Sequence, residues 1–278
     1  MTVVDTHIHY WAEPTPDRPH DPEGIHWGAA ITAEMLLERA SAAGVDRIVQ
    51  VTPALMGFDN RYGIEAALKY PDRIDGVFGR FDVLAPGVDA RLRELMAQPK
   101  MLGIRVTLHQ PPYDTWLRDG TLEPFLTAAE RQGVRVQLFV PYQARELQTT
   151  ARRFDGIQFM VDHMGIRRMP GEPPDRFADW PNLIDLAREP NVWIKVSYFP
   201  EAAPDHERYP FQTSLRRFRE YYEAAGSERM IWGSNYPPSG RACTYRESVT
   251  FITEACEFLT AADRRAILAE NFSRYLSA

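Results

Sequence analysis

The sequence predicts a single (β/α)8 barrel over residues 1–278, on three observations. Eight short strand-like runs alternate with helix-like stretches along 278 residues, the pattern of strands that each return through a helix. After the first strand, where a doubly wound sheet carries a Gly-rich phosphate loop, the chain has His7-Ile8-His9-Tyr10-Trp11. No internal repeat, low-complexity tract or linker divides it into smaller domains.

The elements follow in order. Val3 to His9 is the first strand. Glu13 to Gly28 has no apolar periodicity and reads as a long loop, a length often used for lids, with His26 and Trp27 as its candidate lid residues. Thr32 can cap a helix through Met35, Leu36, Leu37 and Ala40 that stops at Gly44. Arg47 to Val51 is the second strand. Ile64 to Tyr70 is helical and stops before Pro71; Ile74 to Phe81 is a strand. Helices over Val88–Ala97, Leu122–Arg131, Ala144–Phe154, Arg176–Arg188 and Leu215–Ala225 alternate with strands over Leu102–Leu108, Val134–Val140, Ile157–Val161, Val192–Val196 and Met230–Trp232. Helices near Ser248–Leu259 and Ala262–Leu276 close the chain.

Composition narrows the function classes. The hydrophobic share is 44% and the charged share 25%, with a net charge of -6, so neither nucleic acid nor an anionic membrane is an expected partner. Cys243 and Cys256 are too few for a disulfide framework or a cysteine metal site. No apolar run approaches the roughly 18 residues of a membrane span, and no signal-peptide pattern opens the chain. A cytoplasmic protein acting on a small molecule is the expectation, with homo-oligomerisation left open.

In a barrel the chemistry sits at the C-terminal ends of the strands. Those ends hold His7 and His9, then Thr52, Asp82, Thr107 with His109, Phe139, Asp162 with His163, Ser197 with Tyr198, and Ser234 with Asn235. Side chains at i and i+2 share a strand face, so His7 and His9 can converge on one metal ion or one substrate oxygen. Three histidines and an asparagine are thereby expected in one basin.

The segments Val4-Asp5-Thr6-His7-Ile8-His9, Gly103-Ile104-Arg105, Val161-Asp162-His163-Met164-Gly165 and Trp232-Gly233-Ser234-Asn235-Tyr236-Pro237 resemble the amidohydrolase superfamily. The closer resemblance is to its amidohydrolase-related branch of small barrels. Asn60 with Tyr62, Tyr70-Pro71-Asp72-Arg73 and Ile267-Leu268-Ala269-Glu270-Asn271-Phe272 resemble that branch too, so the likeness spans almost the whole chain. The branch contains sugar-acid, pyrone-dicarboxylate and muconolactone-type lactonases, and decarboxylases related to aminocarboxymuconate semialdehyde decarboxylase. The resemblance implies a strand-one pair, His7 and His9, that binds metal where one is present. It implies that His163 binds metal or polarises the scissile carbonyl, and that Arg105 holds a substrate carboxylate. Two departures stand out. Strand five offers Gln137 and Phe139 where metal-dependent members have a histidine, and Asn235 stands where the branch usually has the aspartate base.

The resulting expectation is a hydrolase that opens a lactone carrying a carboxylate or several hydroxyls. His7, His9, His163 and Asn235 form its catalytic set, and Arg105, His109, Trp11 and Tyr198 contact substrate. It requires either no cofactor or one divalent metal, zinc by donor chemistry, on His7, His9 and His163. Plainer readings stand beside these. Arg105 can pair with Asp5 or Asp82, Asn235 can serve a left-handed turn, and the aromatic residues can simply pack. Asp82 is taken as structural, and His20 and His206 as solvated. The rival functions are a metal-dependent decarboxylase and a non-hydrolytic barrel, the second kept open by Asn235. An aspartate at 235 is expected to make the better hydrolase.

Overall fold

The computed structural model describes residues 1–25, 28–166, 177–197 and 207–278. Its eight strands are β1 Val4–Ile8, β2 Arg47–Val51, β3 Ile74–Gly79, β4 Met101–Thr107, β5 Val136–Phe139, β6 Phe159–Val161, β7 Val192–Val196 and β8 Met230–Trp232. All seven successive pairs are parallel, in the order β1 to β8. The ring closes where β8 runs out beside β1: Asn235 N donates to His7 O (2.9 Å) and His9 N to Tyr236 O (2.9 Å). The fold is therefore the (β/α)8 barrel that the alternation predicts.

Between the strands run α1 Ala33–Ala43, α2 Arg61–Lys69, α3 Val88–Met96, α4 Glu123–Arg131, α5 Ala144–Arg153, α6 Trp180–Leu186 and α7 Gln212–Ala225. The sequence signals at α1 act as expected. Thr32 caps it by accepting from Met35 N, and Gly44 ends it in the left-handed region at φ 85°. After β8 come α8 Tyr245–Thr250, α9 Ala261–Arg265 and α10 Asn271–Ser277, with wider-wound turns over Phe251–Ala255 and Ala266–Glu270. Thus the last expected helix is three shorter pieces.

One strand boundary differs for a visible reason. The apolar run suggests that β3 continues to Phe81, but it stops at Gly79. Asn60 takes over the next backbone groups, its Oδ1 accepting from Arg80 N and its Nδ2 donating to Arg80 O, both at 2.9 Å. A side-chain amide there substitutes for a neighbouring strand.

The strands bury both faces, and the outer face packs on the helices. Inside, Val4, Val49, Val51, Phe78, Met160, Trp193 and Ile231 form an apolar plug with Phe272 and Tyr275 of α10. This plug is the floor on which the polar groups of the mouth stand. Gly233 is required just above it: a Cβ there would lie 2.6 Å from the His7 Cβ and 3.2 Å from the Lys195 Cδ. No described helix is long and apolar enough to cross a membrane.

Candidate active site

The strand-end residues converge as the barrel requires. The His7 ring lies 5.0 Å from that of His9 and 4.7 Å from that of His163, centroid to centroid. His7, His9, His163 and Asn235 are all buried.

Each imidazole is held by a different neighbour. His7 Nδ1 sits 3.3 Å from Asp162 Oδ1 and 3.2 Å from Gln137 Nε2, while its Nε2 is buried and, among the described residues, has no hydrogen-bond partner. His9 Nδ1 lies 2.7 Å from Val51 O, and the ring also hydrogen-bonds the Asn235 side chain. A carbonyl can only accept, so His9 Nδ1 carries the proton and the other ring nitrogen is the acceptor. His163 Nδ1 lies 2.8 Å from Ser197 Oγ. Its backbone has φ 55°, followed by Met164 at φ 53°, an uncommon pair of left-handed residues that turns the ring at the end of β6.

All three imidazoles are neutral at pH 7. Burial is the main cause for each. His7 is pushed well below its usual value, helped by His9, Lys195 and Arg105. His163 is pushed well below as well, by burial and then by His7. His9 falls to about 4 through burial and Arg105, partly offset by its hydrogen bond to Val51 O.

Beneath the histidines lies a charge network that the sequence does not announce. Asp162 accepts from Gln137 Nε2 at 2.5 Å and from Arg105 Nε at 3.1 Å. Arg105 is thus an ion-pair partner, though of Asp162 and of neither Asp5 nor Asp82. Asp5 accepts from Ser234 N (2.9 Å), from the Ser234 hydroxyl and from Tyr245 OH (2.6 Å). Lys195 is fully buried and donates to Thr6 O at 2.7 Å. Burial lowers its pKa to about 8, against the pull of Asp162 and Asp5. Gln137, where the resemblance leads one to look for a histidine, donates to Asp162 and lies 3.2 Å from His7 Nδ1. Lys195 had one signal in the sequence, a lone charge inside the apolar run Val192–Val196.

The other expected residues are spread more widely. The His109 ring is tilted by 38° against Phe139 at 5.3 Å, and Phe139 in turn meets His163 edge-on at 5.1 Å. Trp11 is buried in a cluster with Leu55 and Met56, against Ala30, Ile31 and Tyr62. Asp82 serves a turn, accepting from Leu84 N at 3.1 Å. His20 Nε2 lies 2.9 Å from Ala12 O, so it is tied to the loop backbone rather than merely solvated. Tyr198, His26, Trp27 and His206 lie outside the described residues. A groove of about 310 Å³ between α4 and α5, lined in part by Trp116, Leu126 and Phe154, contains none of the mouth residues.

Ligand atoms of His7, Asp162 and His163 lie within 4.8 Å of one another, so this trio could hold a metal ion. The donor chemistry fits: two neutral imidazoles and a carboxylate, with one nitrogen of each imidazole fixed by a neighbour and the His7 Nε2 lone of a partner. Among the described residues the geometric trio takes in Asp162, whereas the sequence points to His9 as the third donor.

A family model described as amidohydrolase matches residues 4–274. The chain belongs to that family. It is 27% identical over 274 residues to L-fucono-1,5-lactonase of Burkholderia ambifaria, an alignment covering 95% of this chain and 91% of that protein. It is 24% identical over 238 residues to 4-sulfomuconolactone hydrolase of Hydrogenophaga intermedia, covering 85% and 75% respectively. Among solved structures, an amidohydrolase from Burkholderia multivorans with bound zinc superposes with a TM-score of 0.84 at 22% identity, over 100% of this chain and 99% of that one. The protein is thus a hydrolase of the amidohydrolase family, and its curated relatives act on lactones.

Proposed function

We propose that this hydrolase opens a small lactone bearing a carboxylate or several hydroxyls, by attack of water on the ester carbonyl. The observation that carries the reading is His7: a neutral, buried imidazole, backed by Asp162 and with an unpartnered Nε2. Of the two neighbours of Nδ1, only the Asp162 carboxylate can accept its proton; with the proton there, Gln137 donates to Asp162 alone and Nε2 is left as the acceptor.

In this reading the water oxygen bonds to the carbonyl carbon while His7 Nε2 takes its proton. His163, neutral and set by Ser197, donates to the oxygen on which negative charge develops. Asp162 supports the imidazolium that forms on His7. The ring C–O bond then breaks, and the proton passes from His7 to the leaving alkoxide, giving a hydroxy acid. Asn235 holds the His9 ring, and His9 closes the wall beside His7.

A divalent ion, zinc by donor type, on His7, Asp162 and His163 would supply Lewis acidity and a more acidic water. The experiment pairs elemental analysis of the purified protein with a panel of lactones followed by pH indicator, L-fucono-1,5-lactone among them. Ring opening that disappears in His7→Gln supports the reading. Release of CO2 from unsaturated acids without lactone opening would replace it by the decarboxylase reading. The expected setting is cytoplasmic, with a small molecule as the partner.

A further inference from the structure

Arg105, singled out in the sequence for a substrate carboxylate, already has one in Asp162. A second guanidinium at the mouth has none. The β3–β4 register pairs Phe78 with Gly103 and Gly79 with Ile104, and Arg80, the residue after β3, is near enough to Arg105 for the two cations to repel. Arg80 has the parity of Phe78, which belongs to the plug inside the barrel, and therefore stands on the inner face one layer nearer the mouth.

The Arg80 side chain is positioned without a direct ion pair. Its backbone is clamped by Asn60, its Nε donates to Gly57 O at 2.9 Å, and its guanidinium carbon lies 5.9 Å from the centre of the Phe58 ring. Among the described residues no carboxylate pairs with it. Burial first and Arg105 second bring its pKa down to about 10, and Asp21, which makes no ion pair with it, offsets them only in part. Four of its five N–H groups remain to recognise something. On β4, two residues beyond Arg105 on the same strand face, Thr107 carries a buried Oγ1 that has no hydrogen-bond partner among the described residues.

We propose that Arg80 is the specificity residue that binds a carboxylate of the substrate, with Thr107 Oγ1 donating a second hydrogen bond to it. This rests on the lactonase reading and gives its substrate a definite chemistry: the lactone carries an anionic group on the β3–β4 side of the carbonyl. Arg105 instead holds Asp162 in place behind His7. A planar guanidinium and a hydroxyl match a carboxylate better than they match a neutral hydroxyl.

The test uses 5-oxotetrahydrofuran-2-carboxylate, its primary amide, and the ring-opened product 2-hydroxyglutarate. Wild-type protein is expected to prefer the acid over the amide in kcat/KM. Arg80→Gln is expected to cut that preference at least tenfold through KM, Arg80→Lys to retain part of it, and Thr107→Val to weaken it severalfold. Calorimetric binding of 2-hydroxyglutarate, which requires no turnover, is expected to weaken at least tenfold in Arg80→Gln, with the melting temperature reporting that the variant is folded. Binding lost with Arg80 while no lactone is opened would remove the lactonase reading and leave the anion site standing. Lactone opening without any preference for the acid, no binding of 2-hydroxyglutarate to wild type, or binding unchanged in folded Arg80→Gln would each overturn the assignment of Arg80.

Discussion

The barrel interior has two ends that obey different physics. At the floor, Phe78, Met160, Trp193, Ile231, Phe272 and Tyr275 pack into one apolar cluster, with the Lys195 ammonium 5.7 Å from the centre of the Phe78 ring. One to two layers higher, Asp5, His7, Gln137, Asp162 and Lys195 are just as buried, yet they are held by hydrogen bonds and opposed charges. Burying apolar surface stabilises the fold, whereas burying charge costs free energy unless partners are built around it. The floor is there for stability. The upper layers are tolerated because reactive groups must be fixed without water.

That contrast can be broken in four ways, from the largest effect down. His7→Gln removes the proton acceptor and is expected to lower kcat by about 10²–10⁴ on the best lactone, with a melting temperature near that of wild type. Steady-state kinetics beside calorimetry would check this, and a variant that melts early instead would move His7 to the structural side. Phe78→Ala, in the floor, should do the reverse. The cavity should cost about 3–5 kcal/mol in urea unfolding, while kcat of the folded protein stays close to wild type.

Lys195 tests whether the upper layers carry a stability penalty. With a folded pKa of about 8, against the usual 10.5, the folded chain gives up its proton before the unfolded chain does. Below pH 8 both forms hold the proton and the penalty is constant. Between about pH 8 and 10.5 the unfolded state binds more protons, so this residue makes stability rise with pH, by on the order of 3 kcal/mol in full. Lys195→Met should lack the rise, which urea unfolding of both forms from pH 7.5 to 10 would reveal. Parallel curves would deny Lys195 the depressed value.

Asn235→Asp gives the smallest effect. A carboxylate beside His9 adds a proton acceptor, and kcat is expected to rise about tenfold. That is short of what a sole base supplies, because His7 keeps the role. An unchanged rate would leave Asn235 as the residue that orients His9, and nothing more.

Much of this molecule is legible in its sequence. Alternating strand-like and helix-like runs determine the barrel, and strand-end position determines that His7, His9, His163 and Asn235 meet at one mouth, because parity and the barrel's polarity are local properties of the chain. Thr32 and Gly44 bound α1 for equally local reasons. Which group neutralises which is another matter. Arg105 pairs with Asp162, 57 residues away, and Tyr245 reaches Asp5 across 240 residues, choices made by side-chain reach after the ring has closed. Asn60 ends β3 and presents Arg80 for the same reason. Periodicity specifies a face of a strand, but the partner of a buried charge depends on the three-dimensional neighbours that lower its desolvation cost, and only the tertiary structure decides those.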